Sequence, residues 1–342
     1  GGFNVTEGGG DSAEVALELM PGNKIRKYDT WHAMGQGATT GSLVVTLEAL
    51  KEMHLTPEDI QLIQNDTKTC PDTGMAGASR SLYMDGNATI IAANKLLAAM
   101  RKEDGTLRTY DEMKAEGIET KYLGRYETNT TPGLCRLDPN TGIGDPTPAF
   151  TYCLNLAEVE VDTKTGKTTV LKFTCVDFVG RIGNIDAVNG QAYSGIMHGI
   201  GFALKEDYAD VKKHANMFGA GTSYIKDVPD DINLIHIDGA ISDGPFGSSG
   251  ASEAFQASGH CAVLNGIYNA CGVRIHEIPA LPEKVKAGLD AIAKGEKPYE
   301  PKKYFLGSDM YEELENIKEN PVQVGTQSFY VSLDDPTAER PF

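Results

Sequence analysis

The chain has 342 residues, enough for one large domain or two ordinary ones, each with its own core. Its 40% hydrophobic and 23% charged content is that of a globular protein. With 48 acidic against 31 basic residues it carries a formal charge of −17, which argues against a nucleic-acid partner.

Residues 1–10 are glycine-rich and read as a loop. Ser12 to Met20 alternates Val15, Leu17 and Leu19, a strand signal, and Pro21-Gly22-Asn23 is a turn before a return strand over Lys24 to Trp31. Gly41 to Met53 shows a helical face. Thr56-Pro57-Glu58-Asp59 has the cap, first-position proline and answering acid of a short helix. Gln61 to Gln64 reads as a strand and 66–79 as a long polar loop. Asn87 to Met100 is the clearest helix, with Ile90, Ile91, Leu96, Leu97 and Met100 in one stripe.

Residues 104–150 read as a polar excursion, where two subdomains could part. Ala149 to Val161 and Thr168 to Val179 read as paired strands, 184–205 as a glycine-rich helix, and Ile232 to Ile237 as a strand. A tight loop at 244–250 leads into one helix over Ala251 to Cys271, stopped by Gly272, and Pro282 to Lys294 forms another. The expected class is α+β, with mixed sheets and packed helices. A domain over 1–295 is followed by an extended tail over 296–342.

The six cysteines form no Cys-x-x-Cys pair, so neither a zinc ribbon nor an ordinary iron–sulfur spacing is visible. Cys261 and Cys271 read as buried thiols, and a chain of this length does not need disulfide staples. No signal peptide or membrane span is read in the sequence, which makes the cytoplasm the expected location.

Four places carry candidate chemistry. Gly35-Gln36-Gly37-Ala38 sits at a strand-to-helix junction, where it is either a tight turn or a cradle of free amides for an anion. Ser79, Arg80 and Ser81 precede a helix. They can hold a heteroatom-rich ligand or simply cap that helix. Gln191 lies among glycines and alanine that allow close approach, and needs a partner if buried; His198 in the same helix reads as a core histidine. Glu253 follows Ser248-Ser249-Gly250-Ala251-Ser252 in a first helical turn. It serves either the helix dipole or, beside Ala254-Phe255, as a general base.

The segments GQGA at 35–38, ASRSLYMDGNA at 78–88, GQAYSGIMHGIGFAL at 190–204, GPFGSSGASEAF at 244–255 and NACGVRIHEIPALPEKV at 269–285 occur in this order. As a set they resemble the C-terminal molybdopterin-binding domain of the xanthine oxidase family, closest in kind to bacterial molybdenum aldehyde oxidoreductases. The resemblance implies the second molybdenum-binding domain fold and a molybdenum-molybdopterin cofactor, in the cytosine dinucleotide form. It implies contacts to that cofactor from Gly35, Gln36, Gly37, Ala38, Ser79, Arg80, Ser81, Gln191 and Ser252. Ala78 would lie near the molybdenum without being a ligand, and Glu253 would be the catalytic base. Oxidation of a small aldehyde to an acid, with oxygen from water, is the implied activity.

The partners implied are the rest of the molybdenum subunit, an iron–sulfur domain with [2Fe–2S] centres, and a flavoprotein with FAD. The isolated chain is then expected to be inactive. The sequence departs from the family pattern at Ser252, where glycine is expected before the base, and at Ala33-Met34, where polar residues are expected. The rival readings are a purine or nicotinate-type heterocycle dehydrogenase component, and a non-catalytic cofactor scaffold.

Overall fold

The computed structural model describes residues 11–128, 149–241 and 243–297. Two mixed sheets, each backed by helices, organise these residues. The first contains β1 (Ser12–Met20), β2 (Lys24–Asp29), β3 (Ile60–Gln64) and β4 (Lys121–Glu127), in the order β3-β2-β1-β4. β1 is antiparallel to β2 and to β4, whereas β2 and β3 run parallel. Helices α1 (Ala38–Ala49), α2 (Ser81–Met100) and α3 (Tyr110–Ala115) belong to this half.

The alternation read in β1 is real: Val15, Leu17 and Leu19 are buried, and Leu17 and Leu19 join Leu96, Leu97 and Met100 of α2 in one core. α2 lies very close to the sheet. A Cβ added to Gly124 of β4 would come within 2.0 Å of the Ala88 carbonyl and 2.5 Å of the Ala92 amide. The alanines of α2 therefore do more than favour helix; they let its backbone touch a strand.

The second sheet contains β5 (Tyr152–Val161), β6 (Thr168–Phe178) and β7 (Asp231–His236) in that order. β5 and β6 are antiparallel, β6 and β7 parallel. α4 (Ile185–Leu204), the single turn α5 (Met217–Ala220), α6 (Ser252–Ala257), α7 (Gly259–Cys271) and α8 (Pro282–Ala293) complete this half. One sheet face packs Phe173 and Cys175 against Ile196, Ile200, Phe255 and Val263. The other is open: Tyr152, Leu154 and Leu156 of β5 are exposed at 63, 64 and 57%.

Three expectations change. The excursion at 104–150 contains α3 and β4, and β4 is an integral edge of the first sheet. The helix expected over Ala251 to Cys271 is two helices, broken at Ser258, whose hydroxyl accepts a hydrogen bond from Asn155 at 2.9 Å. Cys261 is exposed and Cys271 half-buried, because the inward stripe of α7 is Val263 and Ile267. The tail from 298 and the middle of the excursion, 129–148, lie outside the described residues. No helix among the described residues is long and apolar enough to cross a membrane.

Candidate active site

A cleft of about 640 Å³ lies where the two halves meet. Its walls include the starts of four helices: Gly37 and Ala38 at α1, Ser81 and Leu82 at α2, Asn184 and Ala187 at α4, and Ser252 and Glu253 at α6. Helix starts present backbone N–H groups with no partner inside the helix. Asn184 caps α4, accepting from the Ala187 amide at 3.0 Å. The first turns of α1 and α2 have no side-chain cap; Gly37, in the left-handed region at φ 87°, has no side chain to offer. Uncapped amides beside a cleft suit an anionic or heteroatom-rich guest.

One part of the wall is built from two loops in backbone contact. Ala78 and Ser79 both have positive φ, at 51° and 55°, which is uncommon for residues with a side chain. That geometry turns the Ser79 carbonyl toward Gly250, where an added Cβ would lie 1.6 Å from the oxygen. Only glycine fits there. The Ser79 hydroxyl accepts from the Glu253 amide at 3.1 Å and donates to Glu253 Oε2 at 3.3 Å. α6 therefore has no cap from its own segment and takes one from a residue 174 positions away.

Arg80 is corrected. Its guanidinium is buried and holds Asp11 through Nε and, at 2.8 Å, through Nη2. It also donates to the carbonyls of Ser12, Thr73 and Met75, and it is not among the residues lining the cleft. A side chain so fully engaged braces the 73–80 loop and is not free for a cofactor. Gly35 and Ala78 also fall outside the lining; each shapes a loop whose neighbours reach it. Gln36, Gly37, Ala38, Ser79, Ser81, Gln191, Ser252 and Glu253 all line the cleft. The Gln36 amide closes its own loop, donating to the His32 carbonyl and accepting from the Met34 amide. His198 is half-buried and lies against the Phe202 ring.

Arg181 and Gly183 line the cleft and are absent from the sequence reading. They belong to a strand–glycine–helix junction of the same kind as 35–38, with Gly180 at φ 77° between β6 and α4. That pattern was the signal available. Behind it, His236 joins the sheet to α4, with Nδ1 2.7 Å from Asp177 Oδ2 and Nε2 2.8 Å from Asn189 Oδ1. Burial raises the Asp177 carboxyl above its ordinary range, and the neighbouring His236 only partly offsets this.

The donor set fits an organic group better than a bare ion. Among the described residues, no three His, Cys, Asp or Glu side chains stand close enough to hold a metal ion. The cleft offers amides, the hydroxyls of Ser81, Ser249 and Ser252, the carboxamide of Gln191 and one cation, Arg181. A pterin nucleotide with ring heteroatoms and phosphates can use each of these, and a metal there would be carried by that group.

Two α+β layers closing over an amide-lined cleft define a domain that holds an organic cofactor. Residues 1–229 match the molybdopterin cofactor-binding domain model, and the chain belongs to that family. An aldehyde oxidoreductase of Megalodesulfovibrio gigas is 41% identical over 83% of this chain and 31% of its own length. The solved aldehyde oxidoreductase of Desulfovibrio desulfuricans is 43% identical with a TM-score of 0.78, over 83% of this chain and 31% of that one. That of Desulfovibrio gigas gives 40% and 0.80, over 85% and 31%. The fold is thus the mixed α+β architecture expected, and the chain spans about a third of the length of these relatives.

Proposed function

We propose that this chain forms the cofactor-facing part of a molybdenum hydroxylase that oxidises an aldehyde to a carboxylic acid, with water as the oxygen source. The observation that carries the reading is the cleft itself, with the uncapped starts of α1 and α2 and Glu253 in its walls. The amides of Gly37, Ala38, Ser81 and Leu82, with the side chains of Ser81, Gln191 and Arg181, would hold a molybdenum–pterin group in its cytosine dinucleotide form. That group, when bound, supplies oxygen transfer and accepts two electrons.

The chain's own chemistry is one proton. The net change is aldehyde plus water to acid, with two protons and two electrons released. Glu253 is exposed to the cleft and fixed at Oε2 by Ser79, which leaves Oε1 to accept a proton from the water-derived hydroxyl as it bonds to the substrate carbon. The apolar leg of α6, Ala254 and Phe255, is buried and gives that carboxylate a rigid base.

Electrons would pass to [2Fe–2S] centres and then to FAD, both outside this chain. The rest of the molybdenum subunit, an iron–sulfur domain and a flavoprotein are its partners. The open apolar face of β5 supports a role inside a larger assembly, since such faces mark contact surfaces. The unbridged thiols among the described residues fit a reducing, cytoplasmic setting. The test is a substrate panel on the assembled enzyme. The reading expects turnover of small aldehydes and little of xanthine or nicotinate, and the reverse order would replace it with the heterocycle reading.

A further inference from the structure

We infer that the Ser79 side chain positions Glu253 rather than contacting a cofactor. This rests on the proposed role of Glu253 as the base. A serine hydroxyl has one proton to give and two lone pairs. Here the proton goes to Glu253 Oε2 at 3.3 Å, and one lone pair takes the Glu253 amide at 3.1 Å. One side chain therefore fixes both the main chain and the carboxylate of the same residue. The hydroxyl keeps no proton for a pterin oxygen or a phosphate, and any such contact from this residue falls to its backbone N–H.

The surrounding structure is arranged around this contact. Positive φ at Ala78 and Ser79 aims the hydroxyl at the first turn of α6. Backbone strain of this kind persists where the surroundings enforce it. The enforcement is visible on both sides. Arg80 ties the next residue to Asp11 and three carbonyls, and Gly250 admits the Ser79 carbonyl at a distance no other residue would allow. Ser81, two residues on, keeps its place in the cleft wall at the uncapped start of α2. The two serines of one motif thus divide the work: Ser79 serves the base and Ser81 faces the guest.

The experiment uses Ser79→Ala and Ser79→Gly in the assembled enzyme. Glycine removes the hydroxyl without the cost of positive φ, so it decides the matter if the alanine variant folds poorly. Four quantities are read: kcat per bound molybdenum, KM, cytosine nucleotide released per chain, and hydrogen exchange of the Glu253 amide. The expected result is a kcat lower by about 10-fold to 100-fold with KM little changed, since a base displaced by about 1 Å loses that much. Cofactor content stays at the wild-type level, the Glu253 amide exchanges faster, and neither substitution lowers kcat further in a Glu253→Gln background.

Wild-type kcat per molybdenum with faster exchange would reduce Ser79 to a plain helix cap and overturn the inference. Loss of nucleotide with normal kcat per molybdenum would make it a cofactor ligand and also overturn it. If Glu253→Gln itself turns over normally, the failure belongs to the base assignment, which separates the two.

Discussion

Gly195 of α4 and Phe255 of α6 touch so closely that a Cβ built on the glycine would stand 2.5 Å from the Phe255 Cβ and 2.7 Å from its carbonyl carbon. The next turn repeats the pattern, with Gly199 2.9 Å from the Gly259 Cα by the same construction. This glycine seam brings α6 and the start of α7 down onto α4 and so fixes where Glu253 stands relative to Gln191. Gly195→Ala should force the helices apart at a cost of about 1–3 kcal/mol, the usual range for overpacking. Chemical denaturation checks the stability, and turnover per molybdenum in the assembled enzyme should fall with it.

Phe255 is fully buried among Phe173, Ile196, Ile200 and Val263. Phe255→Ala should cost about 3–5 kcal/mol through lost burial and a cavity. Phe255→Leu keeps most of the volume and should cost less than half of that. Denaturant midpoints for the two variants test the ordering.

A buried ionic cluster in the first half makes a pH prediction. Lys27 Nζ lies 2.7 Å from Asp85 Oδ1 and 3.3 Å from Asp29 Oδ2, and all three side chains are fully buried. Asp29 also accepts from Ser42 at 2.6 Å and Gln64 at 2.8 Å, whereas Asp85 Oδ2 has no hydrogen-bond partner. Burial, the largest cause, pushes Asp85 up to about 6; Lys27 opposes this and Asp29 adds to it. A raised carboxyl binds its proton more tightly folded than unfolded, so its contribution to stability falls as pH rises from about 4 through about 6 and is flat above. Relative to wild type, Asp85→Asn should therefore gain stability as pH rises across that window. Equal pH slopes for the two proteins would contradict the assignment.

Arg80 gives a fourth expectation. Arg80→Lys keeps the charge and loses the fork that spans Asp11 and three carbonyls. Leaving buried carbonyls without their donor costs about 1–3 kcal/mol. The 73–80 loop should loosen, with faster hydrogen exchange there and a lower melting temperature.

Much of this architecture is local, and local features can be read. The alternation of Val15, Leu17 and Leu19, and the Asp59 carboxylate accepting from the Thr56 amide at 3.0 Å, need only neighbouring residues. β4 escaped because it is an edge strand: KYLGRYE buries only Gly124, so its sequence looks like exposed loop. α2 begins at Ser81, before the expected Asn87, because Tyr83, Met84 and Asp85 are buried in its first turns, and a carboxylate there masks the apolar face. The break at Ser258 depends on Asn155, and the engagement of Arg80 on Asp11; partners so distant in sequence leave no periodic trace. For the same reason a serine–arginine–serine run reads as an anion site. In the structure its arginine is a brace and its first serine is tied to Glu253.

The most direct measurement is Glu253→Gln in the assembled, cofactor-loaded enzyme. Glutamine keeps the size of the side chain and can still accept from the Ser79 hydroxyl but cannot act as a carboxylate base. The expected result is an unchanged cytosine nucleotide content and a kcat reduced by about 10²–10⁴-fold, the usual share of a positioned base. A fully loaded variant turning over aldehyde at the wild-type rate would show that the proton goes elsewhere.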